Sequence, residues 1–395
     1  MVCVGIDAAC NKHDVCITND AGKIFGNVFT IKNTKEDYKK LLEQIKTAKE
    51  YFNDDKVTLG IESTGSYSSV ITEFLAKEDS IEVILINPIL TNMYQQLRKV
   101  HYAKTDTIDA IGIASFVATK PCIRTYTPPS YHIRELKEMY REVVNINKSL
   151  SKCKTRLKST LHRYFSEYLY VFTDISSKSS LHILENYKDI RKLKNVNSEK
   201  LLKQINNKSG GNITRKKIRM LQDYVLNSIG DLSNYNGIVI SCLARQISLY
   251  LEQKEELIKT MEPLIKEEGK ELLSIPGINT ILAAGILSEI NNIDNFNNAD
   301  QLVAYAGLDP IVYESGTYKA KNTRISKKGS SYLREALYYA SFTVTQNDKN
   351  FNKYYCKKIN EGKKHRVVLG HVAKKLCRLI FCLLNKHQDY ISPIK

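Results

Sequence analysis

The chain has 395 residues, more than one typical domain holds, so we expect two or three domains that each bury a core. Lys and Arg number 59 against 42 Asp and Glu, a formal net charge of +17. Such an excess favours a polyanionic partner, most often nucleic acid. A basic membrane-surface protein or a merely soluble protein is also compatible with it.

The nine cysteines form no Cys-x-x-Cys pair, which argues against a zinc ribbon and against a disulfide framework. Reduced thiols of the cytosol fit best. The N-terminus runs into a strand-like pattern instead of a signal peptide, and no apolar run reaches the roughly 18 residues that a membrane span needs. We therefore expect a cytoplasmic protein with no membrane partner.

The first 125 residues alternate strand and helix patterns. Three strands joined by short turns predict an antiparallel meander, and Thr34 then caps a helix of regular apolar period. The predicted strands are 2–6, 14–18, 23–31, 57–61 and 81–86, and the predicted helices follow Thr34 and span 66–76 and 105–117. The order βββαβαβα matches the ribonuclease H-like fold.

Four acids are placed to converge in that fold. Asp7 ends the first strand, and Glu62 lies just past the fourth. Asp106 and Asp109 stand three apart at the start of a helix, a spacing that puts both carboxylates on one face. Since like charges repel, the set predicts a divalent metal and phosphoryl-transfer chemistry.

A rival function uses the same fold. Gly5-Ile6-Asp7, followed by a hairpin at residues 20–23, resembles the first phosphate motif of sugar kinases and actin-like ATPases. Such kinases need a later Asp-Gly phosphate loop and a Gly-rich adenosine loop, and neither is found in the sequence. Their active sites also give no reason for the acid pair at Asp106 and Asp109.

The middle of the chain follows a Pro128-Pro129 break and reads as helical. Apolar residues recur every seven positions, from Leu136 to Tyr164, which predicts a coiled-coil-like helix. A second run at 238–265 is expected to return antiparallel, with a Lys-rich segment and a loop at 206–212 between them. Spacing and self-association are the expected roles, although the basic residues also suit a nucleic-acid backbone.

The last 130 residues hold two further motifs. Pro276 and Gly277 lie in a pattern that resembles a helix-hairpin-helix, whose backbone N–H groups face a phosphate. Ser315 precedes Gly316 inside a cluster of cations, which suits attack on a phosphodiester because the glycine lets a backbone approach closely. The cations expected to hold nucleic acid are Lys319, Lys321, Arg324, Lys327, Lys328 and Arg334.

Taken in order, these motifs resemble the DEDD transposases of the IS110 family, which includes bridge-RNA-guided recombinases and is related to Piv-type DNA invertases. The segments that carry the resemblance are Asp7, Gly60-Ile61-Glu62-Ser63-Thr64-Gly65-Ser66-Tyr67, Lys104-Thr105-Asp106-x-x-Asp109-Ala110, Ile275-Pro276-Gly277-Ile278, Tyr305-Ala306-Gly307-Leu308-x-Pro310, Ser315-Gly316 and Arg324-Ile325-x-Lys327-x-Gly329-x-x-x-Leu333-Arg334. Thr317 departs from the family, where a second glycine is common.

The resemblance implies an α/β plus α protein. It would have a RuvC-like (ribonuclease H-like) domain at 1–125, a helical coiled coil at 126–265, and a mainly helical C-terminal transposase domain at 266–395. The four acids would bind Mg²⁺, two ions per site, and Ser315 would form a transient phosphoserine link to DNA. The implied partners are donor and target DNA, a non-coding bridge RNA and further copies of the chain. Such a bacterial protein would associate with the nucleoid when active.

Two other functions compete with this interpretation. A RuvC-type Holliday-junction resolvase or nuclease would need the four acids but would use water in place of Ser315. A protein that only binds nucleic acid would need neither.

Overall fold

In the computed structural model, the chain forms two compact units, Met1–Pro129 and Ser130–Lys395. The structure describes residues 1–63, 66–98, 106–120, 125–209, 213–230, 234–311, 314–315, 318–319 and 324–392. The first unit is mixed α/β and the second is mainly helical. The expected combination of an α/β part with an α part is confirmed at this level.

The first unit is built on a five-stranded sheet in the order β3-β2-β1-β4-β5. The first three strands pair antiparallel, whereas β1, β4 and β5 run parallel, as the predicted meander and crossovers require. The strands are β1 (Val2–Ala8), β2 (Lys12–Asn19), β3 (Phe29–Lys32), β4 (Val57–Glu62) and β5 (Ile81–Ile86).

Helices cover both faces of this sheet. They are α1 (Lys35–Phe52), α2 (Ser66–Leu75), α3 (Pro88–Arg98) and α4 (Asp106–Ala118). Thr34 caps α1, since its hydroxyl accepts a hydrogen bond from the Asp37 N–H at 3.3 Å. One face buries the apolar side of α1 and α2 against alternate strand residues, and the other packs against α4. The central strands are therefore buried on both sides.

Two details of the prediction for this unit are wrong. The third strand is shorter than 23–31 because the backbone turns at Gly26, whose φ is +63°, and regular pairing begins only at Phe29. Helix α3 was not predicted at all. It lies directly after β5 and packs against α4.

The second unit is organised by two long helices that lie side by side. They are α5 (Tyr131–Tyr164) and, later in the chain, Asn234–Glu268. Cys153 Sγ lies 3.5 Å from Gln246 Oε1, and His132 Nδ1 lies 3.2 Å from Glu268 Oε1, so the two helices run antiparallel. The antiparallel return is as expected, while a coiled coil stays a prediction.

Short helices fill the segment between the long ones. They are α6 (Tyr168–Val171), α7 (Lys178–Asn186), a 3-10 helix (Ile190–Asn195), α8 (Ser198–Ser209) and α9 (Arg215–Leu226), after which α10 is the long Asn234–Glu268. The loop predicted at 206–212 is wrong over 206–209, which belong to α8, and residues 210–212 lie outside the described residues.

The C-terminal part packs around the first half of α5. Its elements are α11 (Lys270–Leu273), α12 (Thr280–Ile290), a 3-10 helix (Ile293–Asn295), α13 (Ala299–Tyr305), β6 (Glu314–Ser315), β7 (Tyr318–Lys319), α14 (Ser331–Asn347), α15 (Lys349–Asn360) and α16 (His365–Lys386). Strands β6 and β7 form a two-stranded antiparallel ladder.

Two buried apolar clusters divide the second unit, and α5 contributes to both. Residues from Ile133 to Val144 pack with the C-terminal helices, whereas residues from Leu150 to Tyr164 pack with α6 to α9. Helix α10 is divided in the same way. Because both long helices span the two clusters, the boundary placed at 265 stays a prediction. No helix within the described ranges has the length and apolar character needed to cross a bilayer.

Candidate active site

The parallel pairing of β1 with β4 brings the first two acids side by side. Ile6 is in register with Ile61, so Asp7 and Glu62 occupy the next positions on adjacent strands. Adjacent strands lie about 4.8 Å apart. Glu62 is the last residue of β4 instead of lying just past it, which leaves the predicted neighbourhood unchanged.

A close approach of α4 to β1 positions the other two acids. A Cβ atom on Gly5 would lie 2.2 Å from the backbone N of Ala114 and 2.4 Å from the carbonyl O of Ala110. Only glycine permits that contact. Asp106 and Asp109 occupy the first turn of this same helix.

The electrostatics of Asp7 link all four acids. Burial, reinforced by the charges of Glu62, Asp109, Asp106 and Asp14, raises the pKa of Asp7 to about 6 from its ordinary value of 3.8. The charges of the other three predicted acids thus act on Asp7 in the fold.

Sequence reasoning missed two charged residues of this site. Asp14 lies opposite Asp7 in the antiparallel register of β1 and β2, is 7% exposed, and accepts a hydrogen bond from the Thr30 hydroxyl. Lys12 Nζ lies 3.5 Å from Asp106 Oδ2 and 3.7 Å from Asp14 Oδ2. The lysine therefore connects β2 to the first turn of α4. A correct hairpin register would have revealed both residues.

The acids offer only hard carboxylate oxygens, the donor set that Mg²⁺ prefers. Within the described ranges, however, no three His, Cys, Asp or Glu side chains lie close enough together to hold one metal ion. The two observations are compatible, because charges interact over roughly 8 Å, while Mg²⁺ needs its ligands within about 2.1 Å. The donor chemistry and the mutual repulsion at Asp7 therefore fit a divalent cation.

The predicted nucleophile lies in the second unit. Ser315 forms part of β6 and pairs with Tyr318 of β7. Gly316 and Lys321 lie outside the described residues, and Lys319 is in β7. Arg324, Lys327 and Lys328 follow with exposed side chains.

The residues that flank Ser315 at 309–311 and 324–326, called here the Ser315 segment, are held together by backbone hydrogen bonds. The Ile311 N–H donates to the Arg324 carbonyl at 2.8 Å, and the Ser326 N–H donates to the Asp309 carbonyl at 2.8 Å. Arg334 donates to the Ala306 carbonyl at 3.1 Å. A contact of Arg334 with nucleic acid stays a prediction, as do those of the other cations.

An ion pair with a buried carboxylate joins the start of α14 to the long helix α5. Arg141 donates to both carboxylate oxygens of Glu289, at 2.7 Å and 3.2 Å, and Glu289 is 1% exposed. Ser330, the N-cap of α14, donates to Glu289 Oε2 at 2.9 Å. The Arg141 guanidinium also lies 4.6 Å from the ring centroid of Tyr332. Glu289 thus joins α5, α12 and the start of α14.

Pro276 and Gly277 lie in the turn between α11 and α12, while a helix-hairpin-helix stays a prediction. Gly277 has a φ of +97°, and a Cβ there would lie 2.7 Å from the Thr343 carbonyl of α14. Both features require glycine for packing. A phosphate contact at this turn stays a prediction.

Comparisons with known proteins agree with the motifs. Residues 4–166 match a family model described as a DEDD transposase of IS110, and residues 269–356 match one described as a transposase of the IS116/IS110/IS902 family. The mini-circle putative transposase for IS117 of Streptomyces coelicolor is 22% identical over 97% of this chain and 94% of its own length. The pilin gene-inverting protein of Moraxella bovis is 22% identical over 99% of this chain and 98% of its own.

Among solved structures, T. thermophilus RuvC in complex with Holliday junction substrate matches with a TM-score of 0.24 and 14% identity, over 32% of this chain and 99% of that chain. The sequence matches fall on the two ends of the chain that carry the acids and the Ser315 segment. The chain therefore carries a DEDD transposase domain of the IS110 type and a transposase domain of the IS116/IS110/IS902 family, and it is a DNA transposase or recombinase.

Proposed function

We propose that this transposase cuts and exchanges DNA strands through a transient phosphoserine bond to Ser315, with Asp7, Glu62, Asp106 and Asp109 holding Mg²⁺. The observation that carries the proposal is the influence of the other acids on Asp7, whose pKa rises to about 6 through burial and their charges. Repulsion among four acids from two strands and one helix opposes folding, and a bound cation would relieve that cost.

The covalent step balances without an external energy source. The Ser315 hydroxyl loses its proton as its oxygen bonds to phosphorus, and the DNA bond from phosphorus to the 3′ oxygen breaks. The released 3′ oxygen takes up a proton. A 3′-hydroxyl of the other DNA then attacks the phosphoserine and restores Ser315. Each step exchanges one phosphoester bond for another, so no ATP is consumed.

A bound divalent cation supplies positive charge beside the scissile phosphate and the departing oxygen. The chain's own groups do the rest. The acids hold the cation, Lys12 balances Asp106 and Asp14, and the cations around Ser315 hold the phosphate. Ser315 and the acids belong to different units of the chain, and we propose that a dimer or tetramer assembles the site, with acids of one copy serving the serine of another.

A bridge RNA encoded by the element is proposed to guide this reaction by pairing with donor and target DNA. The formal charge of +17 and the resemblance to guided recombinases support it. Sequencing of RNA that copurifies with the protein is the direct test. Recovery of no discrete RNA species would contradict the guide.

The nucleophile is tested with Ser315→Ala and a matched control, Ser331→Ala. Ser331 is an exposed serine at the start of α14 in the same part of the chain. We expect denaturing gels to show a covalent protein–DNA adduct with the wild type and with Ser331→Ala, and none with Ser315→Ala. An adduct with Ser315→Ala would refute the assignment. Nicking without any adduct in the wild type would instead favour the water-using resolvase.

The acids are tested with Asp106→Asn against Asp55→Asn. Asp55 has a fully exposed side chain and lies before β4, at the opposite end of that strand from Glu62. We expect Asp106→Asn to abolish Mg²⁺-dependent strand exchange and Asp55→Asn to leave it unchanged. Full exchange by Asp106→Asn would contradict the metal site.

A further inference from the structure

Helix α9 presents a basic surface that the proposed chemistry does not use. Its residues Ile218, Leu221 and Val225 are buried against the second unit's core. Arg215, Lys216, Lys217 and Arg219 are all exposed on the same helix. Arg215 forms an ion pair with Glu199. Among the described residues, no salt bridge joins the other three cations to an acid, so their charges face solvent.

Aromatic rings lie beside these cations. An open cleft of 520 Å³ runs along α9 and is lined by Arg215, Lys216, Arg219, Met220, Asp223 and Tyr224. The ring of Tyr170 lies 6.3 Å from the ring of Tyr224, centroid to centroid, at an angle of 49°. Tyr170 is 71% exposed, which is unusual for so large a ring.

A second cation and ring lie together nearer the start of α9, two turns before Tyr224. Lys217 Nζ lies 6.0 Å from the ring centroid of Phe172. Lys217 and Phe172 also line a second cleft, of 290 Å³, together with Lys178. Aromatic rings therefore lie beside α9 at two places along its length.

We propose that this α9 surface, defined by Tyr170, Lys216, Lys217, Arg219 and Tyr224, binds a single-stranded segment of nucleic acid. Phosphates contact the cations, and an unpaired base stacks on the exposed ring of Tyr170 beside Tyr224. A duplex would satisfy the cations but offers no free base face to the ring. The inference goes beyond the proposed function, because the surface contains neither Ser315 nor any of the four acids.

The charge contribution is tested with the triple variant Lys216→Ala/Lys217→Ala/Arg219→Ala. The matched control removes three exposed lysines of α1, Lys35→Ala/Lys39→Ala/Lys46→Ala. Both are made in the Ser315→Ala protein and measured in EDTA, so that failure of the cleavage proposal does not affect the result. The probes are single-stranded DNA, single-stranded RNA and a DNA duplex, all of one length and labelled with fluorescein, measured by fluorescence anisotropy over a salt series.

For single strands, each lost phosphate contact lowers the slope of log affinity against log salt by about 0.7, so the triple variant is expected to lose about 2 of that slope. The control variant is expected to keep its slope. The stacking contribution is tested separately with Tyr170→Leu, which removes the ring and is compared with Tyr170→Phe, which keeps it. We expect single-strand affinity to fall by about 5- to 100-fold in Tyr170→Leu, with an unchanged salt slope, and to recover in Tyr170→Phe.

Three results would overturn the inference. Equal losses for the duplex and the single strands would identify a surface that follows duplex backbone. An unchanged single-strand affinity in Tyr170→Leu would exclude stacking. A change of oligomeric state in Tyr170→Leu, seen by sedimentation, would identify a contact between copies of the chain. Tighter binding of RNA than of DNA would support the inference and identify the strand as RNA.

Discussion

Substitution of Gly5 by alanine tests whether the close approach of α4 to β1 positions the acids. The new Cβ would lie 2.2 Å from the backbone N of Ala114 and 2.4 Å from the carbonyl O of Ala110. Both are backbone atoms, so no side-chain rotation relieves the clash. The helix must move as a body, and Asp106 and Asp109 move with its first turn.

The size of the movement is set by the contact distances. Real Cβ contacts essentially never fall below 3.0 Å, so the 2.2 Å contact requires α4 to withdraw by about 0.8 Å. A misplacement of about 1 Å can cost about 100-fold in rate. We expect DNA cleavage by Gly5→Ala to fall by about 10- to 100-fold, and the free energy of unfolding to fall by about 1–3 kcal/mol through overpacking.

Gly60→Ala is the matched control, since Gly60 pairs with Gly5 in the sheet register and faces the same helix. Its Cβ would meet side-chain atoms, Val117 Cγ2 at 2.5 Å and Ile86 Cδ1 at 2.7 Å. These can shift without moving the backbone of α4. We expect Gly60→Ala to lose about as much unfolding free energy as Gly5→Ala, measured by urea denaturation. Its cleavage rate is expected to fall much less, by under about a third of the logarithmic loss in Gly5→Ala.

Wild-type cleavage kinetics in Gly5→Ala, under conditions where the protein is fully folded, would refute the reasoning that this contact positions the acids. Equal rate losses in Gly5→Ala and Gly60→Ala would refute it too, because the effect would then follow stability instead of the helix position.

Two further predictions concern buried charges. The pKa of Asp7 is raised from 3.8 to about 6, so protonation of Asp7 favours the folded state. The contribution of this protonation to stability is fully present below about pH 4 and is lost as the pH rises through 6. In EDTA, Asp7→Asn should therefore raise the free energy of unfolding by about 1–2 kcal/mol at pH 8, after allowance for solvent screening, and leave it unchanged near pH 4; an equal effect at both pH values would contradict the burial of its charge. Glu289→Ala should lower the free energy of unfolding by about 1–3 kcal/mol, since it leaves the partly exposed Arg141 and the Ser330 hydroxyl without their carboxylate partner. The double variant Glu289→Ala/Arg141→Met should recover part of that loss in urea denaturation, and no recovery would show that the pair itself is not the source.

Most of the element order of the first unit could be predicted because most elements have a local cause. Short runs rich in apolar and β-branched residues predict β1 and β4, and the Thr34 cap with a regular apolar period predicts α1. The acids at strand ends could also be identified, since parallel neighbours in this order place their carboxyl ends at one edge. The true length of β3 was missed because the chain turns at Gly26 before regular pairing begins. Helix α3, which begins at Pro88, was also missed.

Asp14 and Lys12 show the limit of such reasoning in the candidate site. Both were visible as charged residues near a predicted strand, but nothing local indicated that Asp14 lies opposite Asp7. That pairing depends on the hairpin register, and a shift of one residue would turn Asp14 to the other face of the sheet. The α9 surface is a similar case, because Tyr170 and Tyr224 are 54 positions apart in the sequence and meet only through the packing of α6 on α9.

The amino-acid sequence alone determined the resemblance to the family, the order of the strands and of all helices but α3 in the first unit, and the acids and serine proposed for the chemistry, because these rest on residue identity and on local periodicity. Tertiary structure decided the raised pKa of Asp7, the backbone contact at Gly5 and the pairing of Arg141 with Glu289, which are 148 positions apart. Each of these depends on how closely separate elements pack. Distances between them are set by the shapes of whole faces, which no short stretch of residues specifies.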